Sequence, residues 1–303
     1  MSVKNWVRYI AMGLIWGSSF FWIKMGLQEV GHITVVFFRV LFAVLGMGIF
    51  FVITRRRLPR KYLWVLIVLG FFNVALPYML VSWSEKYITS GMASVLNSTQ
   101  PLATMVIAAL FIKDEKLTFR RIVGLVFGIA GVLVLMSDRI KSGANNQAAG
   151  IIAMILAVLC YASSAVFARL NNTGVNPEDQ SLGQSLFGLM IITPAMFIFE
   201  SPVTLPVRPI SYLAFAWLGL LGSFFAGITW YSLINEIGPS RASSVMYMAP
   251  AVGVILGAVA LHEKVDWHLI AGGALILSAI VTINMAKKTN GTFVPIENEK
   301  YEG

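Results

Sequence analysis

An apolar stretch of membrane length, with a proline near its middle, occurs twice in this chain. Residues 90–116 read SGMASVLNSTQPLATMVIAALFIKDEK, and residues 240–264 read SRASSVMYMAPAVGVILGAVALHEK. Both copies have an Ala-Ser pair followed by a proline, Pro101 or Pro250, at an offset of 149, and both end in Glu-Lys at an offset of 148. Agreement at this spacing predicts an internal duplication.

Pro101 and Pro250 each lie about ten residues from both ends of their stretch. At about 1.5 Å per residue, each proline is about 15 Å into a hydrocarbon layer about 30 Å thick, which is the membrane midplane. A proline there lacks a backbone N–H and crowds the carbonyl four residues earlier, at Asn97 or Met246. Interrupted helices at matching positions of two repeats are typical of transporter binding sites, so the two prolines are the predicted helix breaks.

The composition excludes a soluble domain. Of the 303 residues, 57% are hydrophobic and only 12% are charged, and the mean hydropathy is +0.77. The net charge of +9 indicates basic cytoplasmic loops rather than nucleic-acid binding. Cys160 is the one cysteine and lies in an apolar segment, which indicates packing. The sequence has no Walker motif, His-x-x-x-His pair or paired intramembrane aspartates, so no cofactor, metal site or enzymatic activity is predicted.

Ten apolar segments are long enough to cross a membrane. They are predicted at residues 6–27, 33–53, 62–83, 91–112, 119–136, 150–170, 181–199, 211–233, 240–261 and 269–286. A polar linker, 137–149, separates a first repeat, 6–136, from a second, 150–286, and residues 287–303 form a polar tail. Because each repeat has an odd number of helices, the second enters the membrane from the opposite side. The predicted fold class is an all-α integral membrane protein with ten transmembrane helices in two inverted five-helix repeats.

The basic residues predict the orientation of these helices. With the N-terminus inside, 16 of the 23 lysines and arginines fall on the inner side and 7 on the outer side. Most of the inner excess lies in the loops at 55–61 and 113–121. Because cytoplasmic loops are enriched in lysine and arginine, both termini are expected in the cytoplasm, in a multi-pass protein of the inner or plasma membrane.

Further motifs recur at an offset of 145. Trp16-Gly-Ser-Ser19 followed by Lys24 aligns with Tyr161-Ala-Ser-Ser164 followed by Arg169, and Leu41-Phe42 aligns with Leu186-Phe187, which puts Arg39 opposite Gln184. With the two prolines, the Glu-Lys ends, and the glycines that follow at Gly124 and Gly272, this order of motifs resembles the EamA family of the drug/metabolite transporter superfamily. The resemblance covers about residues 6–286.

The resemblance implies a carrier that works by alternating access around a central cavity lined by helices one, three, four, six, eight and nine. The function favoured is a secondary transporter for efflux of amino acids or related small metabolites. Two alternatives stay open. One is an importer or exchanger of the same fold, and the other, from a different class, is a non-transporting membrane enzyme or scaffold.

Neutral polar and aromatic side chains near the middle of the spans form the predicted substrate site. On helix four, polar residues at spacings of three or four share one face. The predicted substrate-binding residues are Trp16, Asn73, Asn97, Gln100, Tyr161 and Tyr247. The competing interpretations are hydrogen bonds between helices and core packing. The expected partners are a small-molecule substrate and membrane lipid, without nucleic acid, and the sequence does not indicate an oligomeric state.

Four charged residues at span ends are candidate gates. Lys24 with Glu85 on the outer side, and Arg169 with Glu236 on the inner side, are the predicted alternating pairs; the competing interpretation is that both bases extend to the lipid headgroups. All fourteen acidic residues lie at or beyond span ends. A carboxylate at the midplane is the usual proton carrier, so the sequence favours facilitated diffusion or exchange.

Overall fold

The computed structural model describes residues 3–55, 58–112, 117–141, 145–171, 175–230, 245 and 248–284. All regular secondary structure in these ranges is helical. The helices are α1 (Val3–Leu27), α2 (His32–Thr54), α3 (Arg60–Ser84), α4 (Ser90–Phe111), α5 (Phe119–Lys141), α6 (Asn145–Asn171), α7 (Pro177–Phe199), α8 (Pro209–Trp230), α9 (Met248–Ala260) and α10 (Trp267–Asn284). The predicted all-α membrane fold is therefore confirmed.

Eight of these helices, α1 to α8, are long and apolar enough to cross a membrane, and the described parts of the last two are shorter apolar helices. The ten-span count stays a prediction, because residues 231–244, 246 and 247, between α8 and α9, lie outside the described ranges. The tail at 287–303 lies outside them as well. In the predicted linker at 137–149, α5 continues to Lys141 and α6 begins at Asn145.

The fourth helix is interrupted directly before its proline. Its first piece, α4a, covers Ser90–Asn97, and its second, α4b, covers Gln100–Phe111. Pro101 thus lies in the first turn of α4b, where a backbone N–H would have no acceptor within the helix. At the other end, the Thr89 hydroxyl accepts the N–H of Met92 and caps α4a.

Two helices contain π-helical segments at comparable depth. In α3 the segment is Gly70–Ala75, and in α8 it is Trp217–Phe225. In a π-helical segment each backbone hydrogen bond spans one more residue than in an α-helix, so the side chains around it point in different directions. Such segments are common at functional sites. Both lie in the middle of their helices, where the polar residues described below are found.

Glycines allow several helices to approach closely. A methyl group on Gly131 of α5 would lie 2.7 Å from the carbonyl oxygen of Gly272 on α10, so this pair packs backbone to backbone. On α9, a methyl on Gly253 would lie 2.4 Å from the Ser94 hydroxyl of α4a. The Gly-x-x-x-Gly spacing that begins at Gly253 therefore serves packing within the bundle.

Large apolar side chains project outward from the bundle. Ile53, Leu110 and Phe199 are each 75% exposed. Large exposed apolar side chains such as these are compatible with a surrounding lipid bilayer. In lipid, the backbone polar groups are satisfied within the helices.

Candidate substrate site and capped face

An arginine, two tyrosines and a serine meet in the middle of the bundle. The Arg39 guanidinium of α2 lies 3.9 Å from the centre of the Tyr78 ring of α3 and donates through Nε to the Ser223 hydroxyl of α8 at 3.3 Å. The Tyr78 ring is 6.3 Å from the ring of Tyr161 on α6. A cation held over an aromatic face gains about 0.5–2 kcal/mol, more when it is desolvated. The arrangement brings the predicted residue Tyr161 next to a fixed positive charge.

Two amides are paired beside this cluster. Asn73, in the π-helical segment of α3, donates through Nδ2 to Oε1 of Gln184 on α7 at 3.0 Å. Gln184 is buried and Asn73 is half-buried. The bond holds two helices together, so Asn73 is committed to a partner in this conformation.

Trp16, the predicted site residue on α1, is held against α8. Its Nε1 donates to the Gly222 carbonyl at 3.1 Å, and its ring lies 5.3 Å from that of Trp230. One turn away, Trp217 donates to the Ser18 hydroxyl at 3.1 Å. The indole N–H groups are thereby satisfied, as buried tryptophans require.

The interruption in α4 leaves one amide oxygen unused. Asn97 Oδ1 is buried, and no described residue donates a hydrogen bond to it. By contrast, the hydroxyls of Ser94, Ser98 and Thr104 all bond to carbonyls of their own helix. Gln100 is half-buried beside the interruption. Asn97 of α4 thus has bonding capacity to offer a solute, with Gln100 beside it.

The other predicted residues are placed as follows. Tyr247 and Glu236 lie outside the described residues, and Pro250 is buried in the first turn of α9. Arg169 is exposed near the end of α6. The Lys24 amine does reach Glu85, but it donates to the backbone carbonyl and not to the carboxylate.

Sequence reasoning did not select Arg39, Tyr78 or Ser223 as site residues. Arg39 has a recognisable signal, since it is the one charged residue inside the predicted span 33–53. Tyr78 on α3 and Ser223 on α8 have no such signal, because nothing in the sequence next to a tyrosine or serine indicates which helix it will face.

Carboxylates cap four helix N-termini at one end of the bundle, which we call the capped face. Glu200 accepts the N–H groups of Ile33 and Thr34 in α2, and Glu263 accepts those of Ser90 and Gly91 in α4a. Glu29 accepts the N–H and guanidinium of Arg208 before α8, and Asp266 accepts the N–H of Leu269 in α10. Carboxylates suit these ends because the helix dipole is positive there and the first N–H groups lack partners.

The caps alter the acidity of two of these groups. Burial raises the pKa of Glu200, but hydrogen bonds from His32, Ile33 and Thr34 outweigh it and lower the pKa to about 2. The bond from Ser211 lowers the pKa of Glu29, and Arg208 adds to this effect against a smaller opposing contribution from burial. Both carboxylates are therefore ionised at neutral pH.

A cavity of about 450 Å³ opens at the capped face. Its lining includes two lysines, Lys24 and Lys86, and two glutamates, Glu85 and Glu263. Glu85 follows α3 directly and is fully buried. Its lining residues lie at the ends of α1, α3 and α9 or directly after them.

Comparison with known proteins agrees with this architecture. The EamA-like transporter family matches residues 7–137 and again residues 148–285. A transporter of Archaeoglobus fulgidus, itself described as uncharacterized, is 26% identical over 93% of this chain and 99% of its own length. The uncharacterized inner membrane transporter YedA of Escherichia coli K12 is 28% identical over 91% of this chain and 89% of its own, and Protein PecM of Dickeya dadantii is 24% identical over 93% and 92%.

The fold also matches a solved structure. A protein of known crystal structure superimposes with a TM-score of 0.66, at 20% identity, over 93% of this chain and 97% of that chain. At this identity the match shows the fold alone. The family match spans most of the sequence, and the helices and their polar centre are those of a multi-pass membrane protein. This chain therefore belongs to the EamA-like transporter family.

Proposed function

We propose that the protein is a secondary transporter that exports amino acids or related small metabolites by alternating access. The observation that carries the proposal is the buried amide oxygen of Asn97 at the interruption of α4, to which no described residue donates a hydrogen bond. A buried polar atom without a partner costs about 1–3 kcal/mol. A solute with an ammonium or amide N–H could donate a hydrogen bond to this oxygen. Small amino acids carry such an ammonium group.

Crossed contacts between the halves of the chain support two equivalent, inverted repeats. Gly70 of α3 packs against Gln184 and Phe187 of α7, while Gly219 of α8 packs against Arg39 and Phe42 of α2. The two contacts are equivalent: Gly219 is 149 positions after Gly70, and Gln184 and Phe187 are each 145 positions after Arg39 and Phe42. These are the offsets found between the repeats in the sequence. The pairs Tyr78–Tyr161 and Trp16–Trp230 are likewise crossed, each joining the third helix of one half to the first helix of the other.

Alternating access follows from such a design. Two equivalent halves can exchange conformations, so that a site at their interface opens first to one side and then to the other. Arg39 with Tyr78, and Asn73 with Gln184, are the polar contacts between helices that surround this interface. In the proposal they line the path of the carboxylate or amide of the solute.

The test is transport by purified protein in proteoliposomes, with a panel of labelled amino acids and other small metabolites. Asn97→Ala and Gln100→Ala should each lower the initial rate at least several-fold without lowering the amount of folded protein. Asn171→Ala is the matched control, because among the described residues that amide bonds within its own helix, to the Phe167 carbonyl. Equal losses of folded protein and of transport would return Asn97 and Gln100 to a structural role.

Import or exchange is the alternative within the same fold. Direction is set by gradients, so it is read from the same vesicles by loading solute inside or outside. A membrane enzyme or scaffold is the alternative of a different class, and it predicts no flux of any solute in the panel.

A further inference from the structure

Glu85 is a buried carboxyl group that no part of the proposed transport mechanism uses. It follows the last residue of α3, has no exposed surface, and receives no hydrogen bond on either carboxylate oxygen from any described residue. The other glutamates of the capped face all accept backbone N–H groups. The Lys24 amine donates a hydrogen bond to the Glu85 backbone carbonyl and none to its carboxylate oxygens.

Few charges in the described part of the chain act on this carboxyl group. Lys24 on α1 and Arg39 on α2 are the cations that act on it, and Glu263, which follows α9, is a facing anion. Lys86 is its exposed neighbour in the chain. From α6, the neighbour at this end is Gly150, which packs near the Ser84 carbonyl and Ile88 and carries no charge.

The ionised form of such a group is costly. An ionised carboxylate without hydrogen bonds in a protein interior costs several kcal/mol, far more than the neutral acid does. Burial raises the pKa of Glu85 well above its ordinary value and Glu263 raises it further, while Lys24 and Arg39 oppose this change. The geometry and the charges thus agree in favouring the protonated acid.

The group lies where helices close against each other. At the capped face α4a is buried from Ser90 to Leu96, and a methyl on Gly91 would lie 3.3 Å from Val254 of α9. Deeper in the bundle, Gly17 of α1 packs against Ala249 and Val252 of α9, so these two helices also touch below the capped face. Glu85 borders the cavity of this face, so separation of these helices would bring water to its carboxyl group.

We propose that Glu85 is a proton-binding site that links closure of the capped face to the pH on that side of the membrane. It takes a proton from the medium when α1, α4a and α9 close, and it returns the proton to the same medium when they separate. The proton does not cross the membrane, because Glu85 lies at the end of its helix. The proposal rests on alternating access and is compatible with facilitated diffusion or exchange.

The sign of the pH dependence follows from linkage. The closed state binds the proton more tightly than the open state, where a wetted glutamate has a pKa of about 4.3. Falling pH therefore favours the closed state and rising pH favours the open state. Between the two pKa values the ratio of closed to open protein changes by about tenfold per pH unit.

The test measures how fast a thiol at the closed contact reacts with a maleimide. The protein carries Cys160→Ser and Ser94→Cys and is studied in lipid nanodiscs from pH 5 to 8. Ser94, on α4a, is fully buried against Gly253 of α9, and serine is close to cysteine in size. The reactivity of a thiol itself rises with pH as it ionises. To correct for this, the rates are divided by those of Gln28→Cys, whose position is exposed.

The corrected rate should rise with pH, by up to about tenfold per unit. Glu85→Gln should give a low rate at all pH values, and Glu85→Met, an apolar side chain of similar length, should do the same if the amide variant does not fold. Glu85→Asp should keep the pH dependence. The matched control is Glu29→Gln, which neutralises another carboxylate of the capped face and should also keep it.

Two results would overturn the proposal: a corrected rate that does not depend on pH when Glu85 is present, or the same pH dependence in Glu85→Gln and Glu85→Met. A pH-sensitive dye inside proteoliposomes gives a second test, and proton uptake in proportion to solute flux would also overturn it. Labelling needs no substrate. Glu85-dependent labelling in a protein that moves no solute would support this proposal and overturn the proposed function.

Discussion

At the scale of single residues, the acidic side chains of the capped face divide into two groups. Glu29, Glu200, Glu263 and Asp266 accept N–H groups at helix N-termini. Glu85 has no such partner among the described residues and is buried. The same residue type therefore serves as a permanent cap in one place and as a titrating group in another, and hydrogen bonding decides which.

The Glu200 cap predicts a pH-dependent contribution to stability. Its pKa of about 2 lies below that of an unfolded glutamate, so the contribution is complete above about pH 5 and is lost as the pH falls toward 2. The corresponding free energy is about 3 kcal/mol at neutral pH. Glu200→Gln should lower the melting temperature of detergent-solubilised protein at pH 7, and the difference from the unsubstituted protein should shrink at lower pH.

Glu29→Gln is the comparison for that measurement. Glu29 bonds to Arg208, whose side chain is half exposed, so a smaller loss is expected than for Glu200→Gln. A constant difference between Glu200→Gln and the unsubstituted protein from pH 7 to pH 3 would contradict an ionised cap.

At the scale of helices, interruption and close approach shape the bundle. The break in α4 exposes Asn97 to the interior, and the π-helical segments of α3 and α8 aim Asn73 and Ser223 at neighbouring helices. Glycines determine how closely these helices pack. The polar centre is thus assembled from irregular stretches held by regular, tightly packed ones.

The α5–α10 contact predicts unequal responses to one substitution. In Gly272→Ala the new methyl would lie 2.6 Å from Leu135 and 2.9 Å from the Gly131 carbonyl, so backbone must move. We expect a loss of about 1–3 kcal/mol, as for other overpacked cores. Gly48→Ala on α2 is the matched control, because a methyl there meets nothing within 4 Å. Thermal melting compares the two, and equal melting temperatures would contradict the close contact.

The ends of α1 and α6 carry the proposed gate residues. Lys24 ties the end of α1 to the end of α3 through the Glu85 carbonyl, so Lys24→Ala should favour opening of the capped face. Arg169→Ala is expected to favour opening of the opposite face. Cysteine accessibility from each side, on a Cys160→Ser background, measures both effects. Unchanged accessibility in both variants with transport intact would leave the two bases as headgroup anchors.

At the scale of the whole molecule, charge differs between the two ends of the bundle. The capped face carries the capping carboxylates, whereas basic residues such as Arg55, Arg60 and Arg120 lie at the opposite ends of their helices. Because basic loops stay in the cytoplasm, we propose that the capped face is the outer one.

Reporter fusions test this orientation. Fusions after Arg57 and after Lys287 should both report the cytoplasm, and a fusion in the 137–149 linker should report the outside. A cytoplasmic linker would contradict the inverted arrangement of five plus five helices.

The sequence by itself determined the class of the protein and most helix boundaries. Apolar segments of about 20 residues cross lipid as helices, because a helix satisfies each backbone N–H and C=O within the segment. Pro101 likewise predicted the interruption at the midplane from a local cause, its missing N–H. The family was also recognisable from motif order, and that resemblance is confirmed by the match across the chain.

Only the tertiary structure decided which polar groups meet. Asn73 and Gln184 are 111 positions apart, and Arg39 and Ser223 are 184 apart. Such pairs depend on how separate helices are rotated and how they cross. That arrangement is determined by the packing of whole helix faces. For the same reason, the sequence showed Glu85 only as one of fourteen acidic residues at span ends. Its carboxyl group is buried and has no hydrogen-bond partner among the described residues, and both facts depend on helices that come from distant parts of the sequence.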